Sequence, residues 1–341
     1  MGAYLSIPAA MYFLSPSIGT YSTSLNLLFF YMTWSTMVLS FPPLQVEIVG
    51  TLAIRAIFFL LPSLLFLLFD SLLPSVIVNI KTQGEAALPT RSGGSRGSRK
   101  GGRPPWYFVI GVSLLNILLS VALQVGIELL FTQVLHIRSA LQVTTTLPMP
   151  WSIAKYVIRS LFLREILQYY IHRFLLHPSS PTYISALHNT YFHSIPAPYS
   201  FAAHYDHPLP YLLIRFLPTY LPSLLFRTHL LTHLITLALT TTEETLTLSG
   251  YTNISGIMLG GMARRQDAHS ESRGRGNYSP WGLMDWVHGT TVGPDVMDDV
   301  GEEAEKHHVK ERGGKALADA KESGKDGIRT LSGRKKGAKR S

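Results

Sequence analysis

The stretch "HRFLLHPSSPTYISALHNTYFH", residues 172 to 193, gathers His172, His177, His188 and His193 among aromatic residues, and His204 and His207 follow shortly after. Imidazole is a common metal ligand, and a buried neutral histidine otherwise needs hydrogen-bond partners, so this density favours ligation of a metal or a haem over packing. Polar plugs in a membrane bundle are the bland alternative. The spacing needs help from the backbone, because positions five apart on a straight helix differ by about 140° and do not share a face. Pro178 supplies it, since a residue before proline is pushed out of helical geometry and His177 then sits where a helix ends. His188 and His193 repeat the interval with Pro196 beyond, and His204 and His207 precede Pro208. Three pairs near helix ends can converge on one centre.

The elements that must position them are apolar. The chain has 341 residues, 46% of them hydrophobic, a formal net charge of +9 and no cysteine. That excludes disulfides, Cys-ligated zinc, iron–sulfur clusters and a thiol nucleophile. Runs near the length a helix needs to cross a bilayer lie at residues 25 to 41, 56 to 80 and 106 to 135, with a weaker, amphipathic one at 152 to 171. Residues 209 to 240 are apolar but broken by prolines and suit an interfacial or re-entrant hairpin. The expected fold is all-α: a multi-span transmembrane helical bundle of four spans with a cytosolic, histidine-rich helical cap. The expected parts are an N-terminal transmembrane hairpin (1–80), a flexible basic loop (81–105), a membrane domain (106–292) and a charged tail (293–341). Most Lys and Arg lie in the loop and the tail, which the positive-inside rule places in the cytosol together with the histidines. A bis-histidine haem would need ligands on facing spans, and the cluster lies outside them. Glycines at 93 to 102 follow no strand, so no nucleotide site is expected, nor a nucleic-acid partner. Asp70, deep in a span, is a functional candidate or a bundle-facing polar group. Glu165, two helical turns before His172, can orient an imidazole or pair with a neighbouring arginine.

The segments "REILQYYIHRFLLHP", "LHNTYFHS", "AAHYDHPLP" and "RRQDAHSESRGRGNYSPWGLMDWVHGT" resemble the fatty acid hydroxylase/sterol desaturase superfamily of integral membrane non-haem di-iron oxidases, over roughly residues 107 to 292. His172 and His177 match its first histidine box, His188 and His193 the outer places of its second, His207 the His-Pro after it, and His269 one place of its third. Asn277, Tyr278, Asp285, Gly289 and Thr290 match its terminal signature. Phe192, Gln266 and Ser270 stand where the pattern has histidine, which leaves five of the usual eight box histidines.

The resemblance implies iron, two ions or fewer, held by His172, His177, His188, His193, His207 and His269, with His204, Asp206, Asp267, Glu271, His288 and Glu165 as substitutes or as groups behind the ligands. It implies a lipid oxidase, a hydroxylase or desaturase of a sterol, fatty acyl or sphingoid chain, using dioxygen in the endoplasmic reticulum membrane. Electrons are expected from a cytochrome b5-type partner, because the chain shows no flavin or nicotinamide fingerprint. The alternative is a catalytically decayed relative that binds lipid or a partner protein.

Overall fold

The computed structural model describes residues 21–90, 103–252, 254 and 258–306. The glycines at 93 to 102 and the tail beyond Lys306 lie outside the described residues. Secondary structure among the described residues is helical, with two isolated backbone bridges and no strand.

Helix α1 spans Tyr21–Ser40 and is followed by Pro42 and Pro43. Proline at the first helical position has its φ preset and loses no needed donor, so α2 starts there and runs Pro43–Leu72. Helix α3 is Trp106–Val134. These two helices are long and apolar enough to cross a membrane, and the apolar stretch of α1, Leu25–Ser40, is shorter. Among the described residues, two of the expected four spans thus have a helix long and apolar enough to cross. The second span begins thirteen residues before the expected boundary at residue 56, because the charge of Arg55 is absorbed inside the bundle. Arg55 Nη1 donates to Thr241 Oγ1 at 2.9 Å and lies 3.3 Å from His204 Nε2. Helix α4, Pro150–Ile171, carries Lys155, Arg159, Arg164 and Glu165, too many charges for an unaided span.

Helix α5 is Tyr183–Tyr191, α6 covers 208–225 with an internal π turn, and α7 is Leu230–Thr247. Helix α8, Leu259–Glu271, and the short α9, Leu283–His288, complete the unit that ends at Gly293. A separate unit begins at Pro294 and contains α10, Val296–Lys306. Asp295 caps α10, accepting from Met297 N at 2.7 Å and Asp298 N at 3.1 Å. The charged tail thus begins with a helix.

Buried charge ties the helices together. Arg164 on α4 reaches Glu243 at 2.8 Å and Glu244 at 3.0 Å on α7, and Arg215 on α6 reaches Glu244 at 3.2 Å. Burial alone would raise the Glu244 carboxyl, but Arg215 and Arg164 outweigh it and hold the group at about 2. The expected flexible loop also fails at its first residues. Lys81 is buried, pairs with Asp70 at 2.9 Å, donates to Ser249 O at 2.8 Å, and lies 4.0 Å above the Tyr251 ring. Asp70 also accepts from Tyr251 Oη at 2.7 Å. It is half of a buried ion pair that fastens α2 to the segment after α7.

Candidate metal centre

A π turn, His172–Leu176, continues α4, and His177 N donates to His172 O at 2.9 Å to close it. One turn of this wider helix takes in the extra residue, so side chains five apart meet. His172 and His177 have ring centroids 5.1 Å apart. Such bulges recur at functional sites. The π turn, with the helix ending at His177 before Pro178, achieves what the α-helical spacing forbids.

The other imidazoles arrive from independent elements. His188 lies on α5, whose start is fixed by a reciprocal cap between Thr182 and Ser185. His193 sits in the 3-10 turn Phe192–Ser194, and His269 on α8. One ring nitrogen from each of His172, His177, His188 and His269 lies within 4.8 Å of all the others. The fifth, His193, brings its Nε2 to 3.2 Å from His177 Nε2.

Three of the five rings have an orientation with a cause. His172 Nδ1 is 2.8 Å from Tyr278 O, His269 Nδ1 2.7 Å from Gly276 O, and His188 Nδ1 2.6 Å from Asp206 Oδ2. A carbonyl or carboxylate can only accept, so Nδ1 carries the hydrogen and Nε2 keeps its lone pair. The Nε2 atoms of His172, His188 and His269, and Nδ1 of His193, are buried without a hydrogen-bond partner. One unmet buried polar atom costs about 1–3 kcal/mol, and a cluster of them is not maintained by packing. Outer nitrogens held by acceptors and inner lone pairs left free are what metal-ligating histidines show. The residues present fit a metal.

Burial, reinforced by the neighbouring imidazoles, pushes His172 well below the ordinary histidine value and His177 down to about 2, and lowers His193 likewise. Burial also takes His269 down to about 4, against the opposing pull of its bond to Gly276. These four rings are neutral donors at physiological pH. The sign for stability follows. Above about pH 6.5 both folded and unfolded chains hold these rings neutral, and below it the unfolded chain takes up protons that the folded one refuses. Metal-free protein should therefore be flat from pH 8 to 7 and lose stability toward pH 4, by up to about 1.4 kcal/mol per pH unit for each fully buried ring. Thermal unfolding in detergent at pH 7.5 and 5 checks this, and equal midpoints would contradict it.

The loop after α8 exists to present the two carbonyls. Asp285 accepts from Tyr278 N at 2.9 Å, Ser279 N at 2.7 Å and Thr290 Oγ1 at 2.7 Å. Asn277, at φ +54°, donates to Arg265 O and Val292 O and accepts from Val292 N. Gly276 needs its positive φ, since a Cβ there would collide with the Thr290 carbonyl. Gly274 is packed under the His177 ring in the same way. Asp206 is placed from α3: Asn116 donates to the carbonyls of His204 at 3.0 Å and Asp206 at 2.8 Å. An apolar helix thus carries a buried amide whose work is to hold the site. Asp206→Asn should weaken metal retention about 10–100-fold while leaving the fold intact. Iron titration of the purified variant measures it, and wild-type affinity would remove Asp206 from the site.

Several expected ligands belong elsewhere. His204 is wholly buried between Arg55 and Tyr211, with Phe59 edge-on at 4.4 Å, in a different part of the core. His207 caps α6 by accepting from Leu209 N and packs on Tyr191. His288 is exposed, stacked on Tyr169 and bonded to Met284 O. Glu165 accepts from the backbone N–H groups of Trp281, Leu283 and Met284 at 2.9–3.1 Å, capping α9 instead of orienting His172. Asp267 faces Thr82 and Lys81 and is raised to about 6 by burial. Glu271, exposed at the end of α8, joins none of these rings. Asp206, expected as a substitute or as a group behind the ligands, takes the second role at His188, whereas the carbonyls of Gly276 and Tyr278 are announced by no side chain.

A cavity opens beside the rings, with His172, His188, Phe192, Gln266, Arg215 and Glu244 among its lining residues.

Fold and site together define a helical protein in which long apolar helices accompany a largely buried cluster of imidazoles that could hold a metal ion. Residues 157–290 match the family described as fatty acid hydroxylase, in agreement with the resemblance carried by the histidine boxes. That family generally comprises membrane-associated oxidoreductases, typically with two irons. No solved structure matches the chain.

Proposed function

We propose that the protein is an iron-dependent oxidase of the endoplasmic reticulum membrane that hydroxylates or desaturates a sterol, fatty acyl or sphingoid lipid. The observation that carries this reading is the set of buried imidazole nitrogens without partners, aimed inward while their outer nitrogens are fixed. Iron held there supplies activation of dioxygen for attack on an unactivated C–H bond, chemistry that side chains lack. Hydroxylation consumes one dioxygen, two electrons and two protons, placing one oxygen in the new C–OH and the other in water. Desaturation spends the same inputs, removes two hydrogens from adjacent carbons and yields two waters. Both need an external two-electron supply, for which a cytochrome b5-type protein at the cytosolic face is the fitting donor.

The chain's own groups provide the rest. Phe192, stacked on His188 with centroids 5.1 Å apart, gives the cavity an apolar wall beside the ligands. Arg215 and Glu244, paired with each other in the cavity lining, offer a donor and an acceptor to a polar lipid headgroup. The test is lipid profiling of cells lacking the protein, with add-back of the wild type or of His188→Ala. Accumulation of a lipid short of one hydroxyl or one double bond, corrected by the wild type alone, is the expected result. An unaltered profile would overturn the oxidase and favour a lipid-binding descendant.

A further inference from the structure

We infer that the centre holds one metal ion and not the pair typical of the family, an inference that rests on the iron reading above. Size decides it. Nitrogens bound to one ion lie about 2.1 Å from it, so two of them are separated by roughly 3.0–3.4 Å when adjacent and about 4.2 Å when opposite. The 3.2 Å between His193 Nε2 and His177 Nε2, and the 4.8 Å limit enclosing the nitrogens of His172, His177, His188 and His269, match that scale. Two ions stand about 3.5–4 Å apart, and ligands on their far sides would spread over roughly 7–8 Å. The four convergent rings fit one such sphere, and His193 adjoins it through His177.

A second ion would also lack donors. Phe192 occupies the place of an imidazole, with its ring stacked on His188 and perpendicular to His193 at a centroid separation of 5.2 Å, and it is itself buried in the core. Ser270 donates its hydroxyl to Gln266 O, back along its own helix. The nearby carboxylates are committed: Asp206 to His188 and His207 N, Glu165 to the start of α9, Asp285 to the loop that carries Tyr278. Gln266 brings one neutral amide to the cavity wall, which is not enough to hold a dication against water. Among the described residues, no second group of three or more histidine or carboxylate ligands converges.

The experiment is iron content of the full chain in detergent, saturated with ferrous iron and desalted, with paramagnetic resonance of the oxidised sample. We expect about one iron per chain and the signal of an isolated ferric ion. The variant carrying Phe192→His, Gln266→His and Ser270→His should rise toward two. Two irons per wild-type chain with a silent, spin-coupled spectrum would overturn the single-ion assignment and leave the oxidase reading standing. No retained iron would overturn both. A triple variant that folds and still holds one ion would show that these three positions do not set the count, and would overturn that part.

Discussion

Purified His172→Ala and His188→Ala proteins should lose most of their bound iron. Each change removes a nitrogen aimed into the centre, so the loss should exceed the roughly 10–100-fold that removing an orienting partner costs. A role in packing alone would leave iron unchanged and lower the stability of the metal-free protein. The centre predicts a different pattern for His172→Phe. With no metal, the His172 ring holds a buried nitrogen without a partner at a cost of about 1–3 kcal/mol. An apolar ring there should leave the metal-free fold about as stable, or more stable, while iron binding fails. Iron content and thermal unfolding measured on the same preparation separate the two roles.

The largest effect on stability should come from Arg164→Met. Arg164 is almost fully buried between Glu243 and Glu244, and Arg215 compensates Glu244 only. Removing the guanidinium leaves Glu243 facing the Trp281 indole, whose Nε1 is 3.0 Å away, with no cation. Breaking one side of such a buried pair costs about 3–5 kcal/mol. Adding Glu243→Gln to Arg164→Met should recover much of it, because a neutral amide is cheaper to bury than an unpaired carboxylate. Detergent unfolding of the single and double variants tests this. A single variant within about 1 kcal/mol of wild type would mean that the network is not what joins α4 to α7.

The same two sites show how far the sequence could be read. The four rings His172, His177, His188 and His193 were legible because residue type, density and nearby prolines all pointed one way, and His269 was legible through the family resemblance. How His172 meets His177 was not legible, since a π turn has no residue signature and appears only when the helix is required to close over an extra residue. The orienting groups divided by chemistry. Asp206 was visible as a carboxylate, but its carboxyl faces the outer nitrogen of His188, a choice fixed by Asn116 from a helix 90 residues away in sequence. The carbonyls of Gly276 and Tyr278 could be approached only indirectly, through the Asn277 and Asp285 side chains that shape their loop. His207 and Glu165 illustrate the converse error. Both lie near the box residues in sequence, and both are spent on the unmet N–H groups of helix starts, a demand every helix makes.

The spans were misplaced for a related reason. Hydropathy puts Arg55 at a boundary, because charge in a bilayer is costly. The fold accepts it within α2 by giving it Thr241 and His204 as partners, and the helix can then begin at Pro43. Asp70 is accepted the same way through Lys81. Tertiary partners that rescue a buried charge lie far along the chain, so local composition overstates the penalty.

The account stands most directly on what surrounds the metal in wild-type protein. X-ray absorption at the iron edge, on full-length protein purified in detergent, should show a first shell dominated by nitrogen at about 2.1 Å, with the outer-ring scattering of several imidazoles. A shell of oxygen atoms without imidazole scattering, from iron that survives desalting, would contradict a centre built from His172, His177, His188, His193 and His269.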